Sequence, residues 1–180
     1  MVNKLQEGWS TVGHDHEHIS PAWPGSLTLA GYTVPTIVGP YYRNGNVLGY
    51  LDRCPGVDRL DLVCQAASAL TYIQLKGAIH GNVCPVRRVR GITLRSILTK
   101  LYIWKENICI TGDGKVQVTD IAVNTQVRQT SSGNSQSIPS NWMYKPSEEL
   151  EHGTRTMQAD VCSFATTIYS VRIHLEIYDQ

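Results

Sequence analysis

The chain has 180 residues, 42% of them apolar, with 16 basic and 15 acidic side chains and a net charge of +1. That length suits one domain or part of a larger one, and the apolar share is too high for a disordered chain. The near-neutral charge predicts no pull toward nucleic acid or a membrane surface, and no apolar run nears the ~20 residues of a membrane span.

Residues 1–12 carry Val2, Leu5 and Trp9 near helical spacing and predict a short helix. The turn-rich stretch 13–26, GHDHEHISPAWPGS, is expected to be loop. Two β-branched runs, LTLAGYTV and PTIVGPYY, predict a pair of short strands. Arg43-Asn44-Gly45-Asn46 is a turn signal, and NVLGYLDR reads as a short helix stopped by Cys54-Pro55-Gly56. The clearest helix is 58–76, with Leu60, Val63, Cys64, Ala67, Leu70 and Ile73 on one stripe, Asp58 and Asp61 near its start, and Gly77 as its C′ residue.

Residues 106–121, ENICITGDGKVQVTDI, read as a hairpin in which Ile108, Ile110, Val116 and Val118 flank the turn Gly112-Asp113-Gly114. The polar stretch 123–141 is a mobile loop by composition, and a last helix is expected over roughly 155–171. His14, His16 and His18 form H-x-H-x-H, a metal site if the segment were a strand, but Gly13 and Pro21 favour loop. The five cysteines, Cys54, Cys64, Cys84, Cys109 and Cys162, show no C-x-x-C pair, which argues against a zinc knuckle or a disulfide framework. No basic-then-apolar leader is present, and a cytoplasmic location is expected.

Two separated phrases carry the strongest signal. Residues 78–85 read AIHGNVCP and residues 106–120 read ENICITGDGKVQVTD. Joined, they resemble the catalytic loop and following hairpin of a eukaryotic protein kinase. Further matches come in register. YYRNGNVLGYL resembles the hinge and the helix after it, and LDLVCQAASALTYIQ the helix leading into the catalytic loop. Asp120-Ile121-Ala122 stands in the place of DFG, Pro146-Ser147-Glu148 in the place of APE, and Asp160-Val161-Cys162-Ser163-Phe164 resembles the DVWSFG segment. The chain thus resembles the protein kinase superfamily, most like its tyrosine-kinase-like branch.

The resemblance implies an α+β fold, kinase-like, mostly the α-helical large lobe with a remnant of the small lobe. It implies ATP and Mg²⁺ as cofactors, phosphorylation of protein Ser, Thr or Tyr, and a protein substrate or signalling partner. It places His80 and Asn82 at catalytic positions and Asn107 and Asp120 at the cofactor and metal positions. Glu148 is implied to pair with an Arg of a later helix, and Asp160 to accept hydrogen bonds from the catalytic-loop backbone.

The pattern is degenerate. H-R-D is here His80-Gly81-Asn82, and an amide is no general base near neutral pH. The phosphate-steadying Lys is matched by Cys84, and Gly81 offers no side chain to a phosphorylated Thr130, Ser131, Ser132 or Ser135. Weak or absent catalysis is therefore expected. The alternatives are a pseudokinase acting as an interaction module, or a non-functional product of a mis-spliced gene.

The chain is expected to be one partial domain over 1–180, starting near the small-lobe helix and ending near the helix of Asp160. Residues 86–105, rich in Arg and Lys with apolar Ile92, Leu94, Ile97, Leu98, Leu101 and Ile103, suit an amphipathic basic helix. Their position inside a motif that reads through without them favours an insertion or a retained intron, since Val codons begin GT and Lys105 can be AAG. Residues 172–180 form an atypical tail.

Overall fold

The computed structural model describes residues 12–13, 15–29, 31–85, 107–121 and 142–173. The expected helix over 1–12 lies outside these residues except at Val12. His14, the 86–105 segment, the 123–141 stretch with its Ser and Thr candidates, Ala122 and most of the tail also lie outside them.

Strands β1 (Trp23–Leu29) and β2 (Tyr32–Val38) form one antiparallel hairpin, with Ser26 opposite Pro35 and Leu29 opposite Tyr32. This corrects two expectations. Trp23–Ser26 is strand rather than loop, and the reversal falls at Gly31, not near Pro35. Gly31 sits at φ +82, a left-handed conformation that glycine adopts without a Cβ penalty. Proline lacks the N–H that a central strand must donate, but a two-stranded hairpin leaves each strand an outer edge where that loss is tolerated.

Helix α1 (Val47–Arg53) starts at Asn46, whose side chain accepts from the Gly49 amide at 2.7 Å. Helix α2 (Arg59–Leu75) starts at Asp58, whose carboxylate accepts from the Leu60 and Asp61 amides. Its extent agrees with the sequence reading; its buried face agrees only at Leu70 and Ile73. Leu62, Ala66, Ala69, Leu70 and Ile73 are buried, whereas Leu60 is 57% exposed and Cys64 is exposed. Apolar residues ring most of this helix, so periodicity alone does not select the inward side.

Strands β3 (Ile108–Ile110) and β4 (Val116–Val118) pair antiparallel with Ile110 opposite Val116. The other edge of β4 is also occupied. The Val118 amide donates to the His18 carbonyl at 2.8 Å, and the Ser20 amide donates to the Val118 carbonyl at 2.9 Å. A 3₁₀ turn (Trp142–Tyr144) and the short helix α3 (Ser147–His152) lead through Gly153 to α4 (Met157–Ile173). The core gathers Leu51, Ile73, Ile110, Val116, Ile121 and Val171, so that α1, α2, the β3–β4 hairpin and α4 share one apolar centre. Among the described residues no helix is long and apolar enough to cross a membrane.

Candidate functional site

The end of α2, the N-terminal half of α4 and the β3–β4 hairpin surround the segment His80–Pro85, which is buried throughout. Three separate contacts hold it. First, Asp160 on α4 accepts from the backbone amides of His80 at 2.7 Å and Gly81 at 2.8 Å. Two N–H bonds favour its ionised form, but burial is the larger effect and pushes its pKa up to about 6.

Second, the His80 ring, fully buried, donates from Nε2 to the Thr119 carbonyl at 2.9 Å. A carbonyl only accepts, so Nε2 carries the proton and Nδ1 is free to accept from the Asn82 amide at 3.2 Å. Both ring nitrogens are satisfied in the neutral form. Burial is the main reason the pKa falls to about 4, and the charges of Arg155 and Lys145 push the same way. His80 is thus a structural imidazole at neutral pH.

Third, Asn107 reaches across from the start of β3. Its Nδ2 donates to the Asn82 carbonyl at 2.5 Å and to Cys84 Sγ at 3.5 Å. The Asn82 side chain is buried too, and its Oδ1 accepts from the Cys84 thiol at 3.8 Å. Asn82, Cys84 and Asn107 are therefore linked in one buried polar cluster. The Thr119 amide donates to the Asn107 carbonyl at 3.0 Å, which brings the segment carrying Asp120 alongside. Asp120 has φ 59, the one non-glycine in the left-handed region among the described residues.

A metal fits part of this arrangement. The Oδ1 of Asn107 is buried and has no hydrogen-bond partner, a cost that a cation at that oxygen removes. Its amide cannot simply flip, because Oδ1 would then face the Asn82 carbonyl oxygen. Elsewhere His16 and His18, the described members of the histidine series, are engaged with protein. His16 bonds Ser68 at 3.1 Å and packs its ring at a tilt against Tyr72, while His18 Nδ1 bonds the Val116 carbonyl at 3.1 Å. No group of three or more His, Cys, Asp or Glu side chains suited to a metal occurs among the described residues.

Glu148 is exposed, with Ser147 Oγ 3.4 Å from its carboxylate. The buried acid of α3 is its neighbour Glu149, which pairs with Lys145 one turn earlier and with Arg155 Nε at 3.5 Å. Sequence reasoning missed Glu149, Lys145 and Arg155. The i, i+4 spacing of Lys145 and Glu149 was the available signal.

The protein tyrosine and serine/threonine kinase family matches residues 13–175, and the chain belongs to that family. No curated protein gives a significant match to it.

Proposed function

We propose that this chain is a kinase-family protein whose metal-facing positions persist while its proton-accepting position is lost, so that it phosphorylates protein Ser, Thr or Tyr weakly or not at all. In this reading it holds mostly the helical large lobe with a remnant of the small lobe. Asn107 and Asp120 would hold Mg²⁺, which when bound neutralises nucleotide phosphate charge.

One observation supports the reading above the others. Asn82 stands where the family carries its catalytic Asp, and its side chain is buried and turned to Cys84 rather than open to an incoming hydroxyl. A neutral amide so placed cannot take a proton, and lost general-base action costs ~10²–10⁴-fold in rate.

The second reading, a pseudokinase that acts by binding a signalling partner in the cytoplasm, is favoured by apolar side chains left outside on α2 and α4. Leu60, Val161 and Tyr169 are each more than half exposed, and Cys162, next to Val161 in sequence, is exposed too.

Two measurements test the proposal. Calorimetry with a non-hydrolysable ATP analogue, with and without Mg²⁺, is expected to show weak, metal-dependent binding that Asn107→Ala abolishes. Radiolabelled phosphate transfer to a protein acceptor is expected near background and to rise ~10²-fold in Asn82→Asp. Transfer by the unaltered chain at ~1–100 s⁻¹ would overturn the catalytic reading. Absence of nucleotide binding would leave the interaction module.

A further inference from the structure

Position 81 lies between the two residues that anchor and terminate the His80–Asn82 phrase, and it is glycine. Its φ of +72 is one reason. Its surroundings supply another. A Cβ built on Gly81 would meet Arg155 Nη1 at 3.0 Å, Cδ at 3.2 Å and Cζ at 3.7 Å. The space beside the buried loop is therefore filled by an arginine side chain from the α3–α4 connection.

Arg155 is placed there from both sides. Gly153, at φ 68, ends α3, and three residues later Thr156 caps α4 through Ala159, with Oγ1 accepting at 3.0 Å. The stretch between two helix ends is short, so the Arg155 backbone has little freedom. Its guanidinium meets Glu149 at 3.5 Å, and Glu149 also takes Lys145. All three side chains are nearly buried, at 11%, 4% and 5% exposure respectively for Arg155, Glu149 and Lys145. With Asp160 they make a set of two cations and two carboxyls under the loop.

We infer that Arg155 is a positioning residue: it fills the place beside Gly81 that a larger loop side chain would take, neutralises Glu149, and so fastens the His80–Gly81 backbone onto Asp160. One arginine in the α3–α4 connection thereby serves both the acid of α3 and the glycine of the buried loop. The inference is independent of whether phosphate is transferred, because it concerns packing and charge within the described residues.

A double-mutant cycle on the full chain tests it, with Gly81→Ala, Arg155→Ala and the pair. The left-handed backbone penalty of alanine is present in both backgrounds and cancels. Gly81→Ala is expected to raise the unfolding equilibrium constant by a factor at least fivefold larger with Arg155 in place than without it.

Amide hydrogen exchange gives the readout that bulk destabilisation would not move. Arg155→Ala is expected to speed exchange at His80 and Gly81 at least tenfold relative to the Ile73 amide. Should Arg155→Ala not fold, Arg155→Lys, which keeps the charge and withdraws the planar tip, is expected to reduce the Gly81→Ala penalty in the same sense. Additive effects within twofold, or exchange that rises equally at His80 and Ile73, overturn the inference.

Discussion

Asn107 donates its side-chain amide to the backbone carbonyl of Asn82 at 2.5 Å, although 25 positions separate them. Cys84 Sγ lies 3.5 Å from the same nitrogen. The chain thus leaves the buried loop and returns to β3 at neighbouring points, whatever intervenes.

Removal of residues 86–105 tests that relationship and the proposal that they are an insertion. Joining Pro85 to Glu106 shortens the loop closed by that contact fivefold, a little over two doublings, and each doubling carries ~0.6 kcal/mol of closure entropy. The shortened chain is expected to keep its cooperative unfolding and gain about 1–2 kcal/mol in urea denaturation. A loss of cooperativity would show that the segment belongs to the fold. Sequencing the mature transcript tests the intron origin separately. A message retaining codons 86–105 at high abundance refutes it.

Asp160 is expected to be the costliest single position around the loop. Asp160→Ala leaves the His80 and Gly81 amides buried without an acceptor, and each such group costs ~1–3 kcal/mol. A total of about 3 kcal/mol or more is expected in equilibrium unfolding. Asp160→Asn keeps one acceptor oxygen and is expected to cost less.

The pH dependence of stability should hide two opposed contributions. Burial raises Asp160 from 3.8 to about 6, so its contribution is present below 3.8 and is lost as pH rises to about 6. Burial lowers His80 from 6.5 to about 4, so its contribution is present above 6.5 and is lost as pH falls to about 4. At pH 5 folding removes a proton from the imidazole and gives one to the carboxyl, and the slopes cancel. The unaltered chain is therefore expected to be nearly flat between pH 4 and 6 with respect to this pair. Asp160→Asn should unmask stability that rises with pH up to 6.5, and His80→Gln stability that falls with pH up to about 6. The slope is at most about 1.4 kcal/mol per pH unit. Denaturant midpoints at pH 4, 5 and 6 provide the check.

Asp58→Ala is expected to destabilise the chain by ~1 kcal/mol, because two first-turn amides of α2 lose their side-chain acceptor. Helix content by circular dichroism should stay native, with the change confined to the midpoint.

Much of this architecture is legible in the residues. The β3–β4 hairpin is readable because alternation and a glycine turn coincide at Ile108–Val118. The extent of α2 is readable because Asp58 and Gly77 punctuate it. Its buried face is not, since apolar side chains surround the helix and only tertiary contact decides between Leu60 and Leu62. The β1–β2 reversal is not readable, because Pro35 looks like a breaker while the backbone demand falls on Gly31. At the site, Asn82, Asn107 and Asp160 are found by motif order. Glu149 and Arg155 are not, because a buried ion pair between two short segments has no periodic signature.

The five cysteine thiols are sorted by depth: Cys64 and Cys162 face water, Cys54 is intermediate, and Cys84 and Cys109 are enclosed. Only a solvent-reachable thiolate reacts quickly with an alkylating reagent. The native chain therefore contains its own probe of local opening. Two thiols modify at once, and Cys84 modifies only when the His80–Pro85 segment lets go, which makes its rate a direct measure of how firmly that segment is held.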